Sequence, residues 1–131
     1  MALSDPQIQS LSPSALAYIG DAVYELYVRT AYLFPPRRSQ TYHHLVVEHV
    51  KAERQAKHLQ TLIPYLTDGE LEVIRRGRNA ALRKNRRVEP SVYQQASSFE
   101  TLIGHLYVAD SHRLWQLLGH LRLGSTPENL P

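Results

Sequence analysis

One stretch limits what this chain can fold into more than any other. From Ala15 to Val28 it is apolar or aromatic on every side of a helix, interrupted only by Asp21 and Glu25. Ser12 suits an N-cap and Pro13 the first helical position, so a helix is predicted from about Pro13 to Leu33, stopped by Pro35-Pro36. A helix apolar all round belongs in a core. A carboxylate on such a helix is costly unless a cation or hydrogen-bond donors meet it. Asp21 therefore needs a partner.

A second stretch has the same character. Beyond Phe99 the chain is again nearly all apolar, with one carboxylate, Glu100. Gly20 adjoins Asp21, and Gly104 stands one turn after Glu100 on the same helix face. Small residues at those places would let two helices, or a phosphate, come close, and if the helices cross there both acids converge in one semi-buried site. Like charges there repel and raise a pKa unless a cation is bound. Oxygen ligands without a thiol suit Mg²⁺, with Mn²⁺ as a substitute. The alternative is that each acid pairs with an arginine or caps a helix. Glu25, one turn beyond Asp21, is a further ligand or outer-shell acid, or else the i,i+4 partner of Arg29, the commoner outcome.

The remaining segments read as helices. Ser39 can cap one running from about Gln40 into the low sixties, with Leu45, Val46, Val50, Leu59, Leu62 and Ile63 at helical spacing. Thr67-Asp68-Gly69-Glu70 is a capping box that starts the next. Another spans about Ser91 to Ala109, and Asp110 or Ser111 can cap a terminal helix that Gly124 ends. No segment alternates like a strand, so the fold class is all-α. The 131 residues form one domain, with a basic loop at about 81–90 and a C-terminal tail at about 124–131.

Charge and composition narrow the function. Seven of the fifteen Lys and Arg lie between Arg75 and Arg87, where there is no acid. A solvated face is the ordinary reading of a charge run, but one this one-sided points to a polyanion. Arg75, Arg76, Arg78, Asn79, Arg83, Lys84, Arg86 and Arg87 are the candidate nucleic-acid contacts. Gly77 and Asn79 are expected to add flexibility and donors. There are no cysteines, which excludes disulfides and thiolate metal sites. The N-terminus lacks a signal-peptide pattern and no stretch can span a bilayer, so a cytoplasmic location and no membrane partner are expected. His43, His44 and His49 are expected at the surface or partly buried, and His105 in the core. There is no zinc-protease, phosphate-loop or serine-nucleophile motif.

Taken together, Ala17-Tyr18-Ile19-Gly20-Asp21-Ala22-Val23-Tyr24-Glu25 resembles the signature helix of ribonuclease III catalytic domains. Ser98-Phe99-Glu100-Thr101-Leu102-Ile103-Gly104-His105-Leu106-Tyr107 resembles their second acidic helix. Leu16 to Asp21 and Arg76-Gly77-Arg78-Asn79 are similar to the short Mini-ribonuclease III branch, which has no double-stranded-RNA-binding domain. The resemblance implies the all-α ribonuclease III endonuclease fold, a homodimer, and Asp21 and Glu100 as metal-binding catalytic residues. It implies Mg²⁺-dependent cleavage of double-stranded RNA to 5′-phosphate and 3′-hydroxyl ends. The expected substrate is the large-subunit ribosomal RNA precursor, in the context of ribosomal proteins or an assembling ribosome. Larger relatives carry acids where this chain has Ala17 and Ser97, so Ser97 becomes at most an outer-shell group and the ion is held loosely. The rival reading is a non-cleaving RNA-binding protein of ribosome assembly.

Overall fold

The structure is a computed structural model that describes residues 3–81 and 89–124. Helix α1 (Asp5–Gln9) is closed by a Ser4–Gln7 capping box, and α2 (Pro13–Ala31) by the Ser12 hydroxyl, which accepts from the Ala15 amide. Helices α3 (Ser39–Val50) and α4 (Ala52–Leu62) follow, then a 3-10 turn (Ile63–Tyr65) and α5 (Asp68–Ala81). Beyond the undescribed residues come α6 (Pro90–Ala109), α7 (Ser111–Leu118, capped by Asp110) and a 3-10 turn (Gly119–Leu121). No strand occurs among the described residues, as the all-α reading requires. No described helix is long and apolar enough to cross a membrane.

α6 is the axis of the fold. It packs against α2, α5 and α4, and from Ala96 to Leu106 it is buried on nearly every side. Phe99, Leu102 and Ile103 are fully enclosed with Tyr24, Leu62, Leu114, Leu117 and Leu118. Burying one such side chain is worth about 1.5–3 kcal/mol, so this contiguous cluster supplies most of the driving force for collapse. Tyr24 meets Phe99 edge-on at 5.0 Å and donates its hydroxyl to the His49 carbonyl at 2.9 Å, so its one polar atom is satisfied inside the core.

Three expectations change. α2 is not enclosed: Tyr18, Ile19 and Leu26 are exposed on one flank, and Leu33 and Phe34 are exposed beyond its end. Its all-round apolarity conceals two faces, of which this chain buries one. The single helix expected from Gln40 into the low sixties is broken at Lys51, which is extended (φ −65°, ψ 149°). Arg38, not Ser39, is the N-cap of α3, with no side-chain cap bond. No proline or glycine marks the break. It lets α4 lie along α6 while α3 turns toward α2.

The capping box at Thr67 is present in both directions: the Glu70 amide donates to the Thr67 hydroxyl (3.1 Å), and the Thr67 amide to the Glu70 carboxylate (2.9 Å). Glu70 also takes two bonds from Arg113 of α7, each 2.9 Å, which lock α5 to α7. The Arg113 guanidinium holds the Glu70 carboxyl below its ordinary range.

Candidate nuclease centre

α2 and α6 cross at two glycines. A Cβ on Gly20 would strike the Glu100 carbonyl, and one on Gly104 would strike the Leu16 carbonyl. Each helix backbone thus fills the space that the other's missing side chain leaves. Asp21 follows one glycine and Glu100 precedes the other by one turn, so the crossing brings the two carboxyl groups into the wall of one cavity.

The two acids sit at different depths. Asp21 lies on the exposed flank of α2, contrary to the expectation that it is buried, while Glu100 is the partly buried member. Burial, then the Asp21 charge, then the hydrogen bond with Asp21 push the Glu100 carboxyl up to about 8. Without a cation the pair therefore keeps one proton at neutral pH. The side-chain amide of Gln55, which donates to the Val50 carbonyl at 3.2 Å, lies near enough to oppose that shift. Gln55 was not among the residues singled out from the sequence, although it lies in register with Leu59 and Leu62 on the buried stripe of α4, where a polar residue is a signal.

The carboxyl pair opens into a cavity of about 220 Å³ walled by Ser14, Ala17, Tyr18 and Asp21 of α2, Gly77, Ala80 and Ala81 of α5, and Tyr93, Ser97, Glu100 and Thr101 of α6. Water occupies about 30 Å³ per molecule, so there is room for an ion and several waters. Two carboxylates with hydroxyl neighbours and no nitrogen or sulfur donor form a hard donor set that fits Mg²⁺ or Mn²⁺. Among the described residues no group of three His, Cys, Asp or Glu gathers around any point. Ala17 and Ser97 are both in the wall and add no carboxylate.

Other candidates fall elsewhere. Glu25 forms an ion pair with Arg29 and does not line this cavity; it borders Asp21 in a neighbouring shallow groove. Arg75 is held by Glu72 (2.5 and 2.8 Å), while Arg76, Arg78 and Asn79 are exposed along α5, ahead of the expected loop. Gly77 is a packing residue, not a source of flexibility, because a Cβ there would press on the Thr101 hydroxyl at 2.7 Å. Arg83, Lys84, Arg86 and Arg87 lie outside the described residues, as do most of the expected loop and tail. His49 is buried, bonding the Tyr32 hydroxyl (2.9 Å) and the Leu45 carbonyl (2.8 Å), deeper than the surface or partly buried place expected for it. His105 is partly buried and is not part of the cavity wall.

The family model of the Ribonuclease III domain matches residues 14–111. Mini-ribonuclease 3 of Synechocystis sp. is 58% identical over 118 residues, covering 90% of this chain and 82% of that protein. Mini-ribonuclease 3 of Gloeobacter violaceus is 51% identical, covering 87% and 85%. An X-ray crystal structure of a protein from Fusobacterium nucleatum superposes with a TM-score of 0.78 at 24% identity, over 86% of this chain and 93% of that one.

Proposed function

The chain belongs to the ribonuclease III family, in its Mini-ribonuclease 3 branch, and is an endoribonuclease of double-stranded RNA; from that premise we propose that Asp21 and Glu100 hold the Mg²⁺ on which its cleavage depends. The observation that carries this reading is the Gly20–Gly104 crossing, which sets two carboxyl groups against each other in an open, oxygen-lined cavity. When bound there, the ion supplies Lewis acidity toward a phosphate oxygen and toward water. Glu100 gives up its proton to receive it, because the cation replaces the proton as the counter-charge. Asp21 is the more exposed of the two carboxyl residues. The Ser14 and Ser97 hydroxyls belong to wall residues and would orient water, while the Thr101 hydroxyl donates to the Ser97 carbonyl at 2.8 Å. The products are 5′-phosphate and 3′-hydroxyl ends.

Arg76, Arg78 and Asn79 lie exposed on α5 beside the wall residues Gly77 and Ala80. Together with Arg83, Lys84, Arg86 and Arg87, which follow in the sequence, they supply the positive charge that grips the phosphate backbone of A-form RNA, which is read chiefly by shape. The exposed apolar flank of α2 supports a homodimer, which would set two cavities across one duplex, one per strand. The physiological substrate is the large-subunit ribosomal RNA precursor, met on the assembling ribosome. The relatives' shared name supports the activity, and the basic surface supports a bulky RNA substrate.

The test is Asp21→Asn. Removing one ligand charge from a two-carboxylate site should lower cleavage of duplex RNA by about 10³-fold or more while folding and RNA binding persist. Undiminished cleavage at any Mg²⁺ concentration would remove Asp21 from the centre.

A further inference from the structure

The uncovered stretch along α2 is apolar at both ends and charged in the middle. Tyr18 and Ile19 lie at one end, and Leu33 and Phe34 just beyond the other, all solvent-exposed. From Tyr18 to Phe34 the only charges are Asp21, which belongs to the cavity, and Glu25 and Arg29. Those two form an ion pair one turn apart and border a shallow groove with Asp21, Ala22 and Leu26. Position 27 is halfway between Glu25 and Arg29, and position 26 is halfway between Tyr18 and Phe34. The two opposite charges therefore sit at the centre of the stretch. An exposed i,i+4 pair adds little to the stability of one chain. In the middle of an uncovered apolar face it gives that face a direction.

We propose that Glu25 and Arg29 fix the register in which two copies of this chain pair, through ion pairs between Glu25 of each copy and Arg29 of the other. The inference rests on the reading of this flank as the homodimer face. A two-fold interface must be self-complementary: where i meets j, j meets i. An antiparallel crossing about the centre of the stretch meets that condition twice. It sets Glu25 against Arg29 in both directions, and the Tyr18 end of one copy against the Phe34 end of the other. A parallel crossing sets Glu25 on Glu25 and Arg29 on Arg29, and like charges held together repel. A carboxylate has two oxygens and a guanidinium five N–H groups, so the pair within each helix survives while the cross pairs form. Apolar contacts alone allow the helices to slide, whereas paired charges fix register and orientation. Asp21 borders the same groove, one turn from Glu25, so that register also sets the spacing of the two acid pairs. A slip of one turn would move one Asp21 about 5 Å along the other helix.

The test is the oligomeric state of the full chain, read by sedimentation velocity, with thermal midpoints as the check on folding. Glu25→Arg leaves only positive charge at the centre and Arg29→Glu only negative; neither side chain is buried, so both variants should fold. Each variant alone should have a dimer dissociation constant raised about a hundredfold, because like charges then face one another across the two-fold. Mixed in equal amounts, the two should recover dimers near wild-type affinity. Neither variant has the pair within its own helix, so bonds between copies must produce that recovery. Wild-type affinity in either variant alone overturns the proposal, and so does a mixture of the two folded variants that stays monomeric. Should a reversal fail to fold, Glu25→Gln and Arg29→Gln take its place: each should raise the dissociation constant about tenfold, and wild-type affinity in both is equally fatal. A dimer that survives the reversals but is broken by Leu26→Asp keeps the flank as the interface and removes the ionic register. A wild-type chain that is monomeric brings down the dimer reading itself.

Discussion

α2 and α6 look alike in the sequence and differ in the fold. Both are apolar almost throughout, and each carries one acid at the crossing. Yet Phe99, Leu102 and Ile103 of α6 are 0% exposed, whereas Tyr18 and Leu26 of α2 are 82% and 64% exposed. α6 has neighbours on every side; α2 has them on one. The same apolar pattern therefore serves two purposes: in α6 it makes the core, and in α2 it makes half a core and a surface patch. The acids inherit the difference. Glu100, on the enclosed helix, is pushed up to about 8, while Asp21 sits on the open flank.

The sharpest way to break this comparison is at the crossing itself. Gly104→Val or Gly20→Val puts side-chain atoms into opposing backbone, which cannot yield as a side chain can. The expected cost is about 3 kcal/mol or more, lowering the thermal midpoint by roughly 10 °C. A midpoint equal to wild type would mean that the helices do not cross there.

The two faces of α2 should answer differently to the same substitution. Val28→Asp places an unpaired charge in a fully buried position and should unfold the chain. Leu26→Asp, on the exposed flank, should leave the monomer folded and weaken self-association by roughly tenfold or more, since each apolar side chain lost from an interface forfeits about 1.5–3 kcal/mol. Sedimentation velocity reads the second outcome. An unaltered oligomeric state would move the proposed dimer surface away from this flank.

The smallest effects concern pH, and they carry opposite signs. Glu100 is raised from 4.5 to about 8, so its contribution to stability is full below pH 4.5 and is lost as the pH climbs to 8. Cation-free protein should lose thermal stability over that window, and the stabilisation conferred by Mg²⁺ should grow across it. His58 runs the other way. Burial, helped by the nearby Arg54 charge, lowers it from 6.5 to about 4, and among the described residues its Nε2 has no hydrogen-bond partner. Its contribution is full above pH 6.5 and is lost as the pH falls through 4. His58→Phe should flatten the acid limb alone, leaving the Mg²⁺-dependent limb intact. Midpoints measured from pH 4 to 9 in EDTA and in Mg²⁺ separate the two.

Much was legible in the sequence because its signals are local. Ser12-Pro13, the Thr67–Glu70 box and Asp110 start helices through bonds within one turn, and all three do so here. The family resemblance was legible too, and so was the possibility of close approach at Gly20 and Gly104, because small residues leave room for a second backbone; that a helix and not a phosphate fills it is shown by the crossing. Only tertiary structure decided the rest. Periodicity shows that a residue is apolar, not how many neighbours surround its helix, so the exposed flank of α2 and the depth order of Asp21 and Glu100 could not be read. The break at Lys51 has no local cause. It exists because α4 must lie on α6 while α3 turns toward α2.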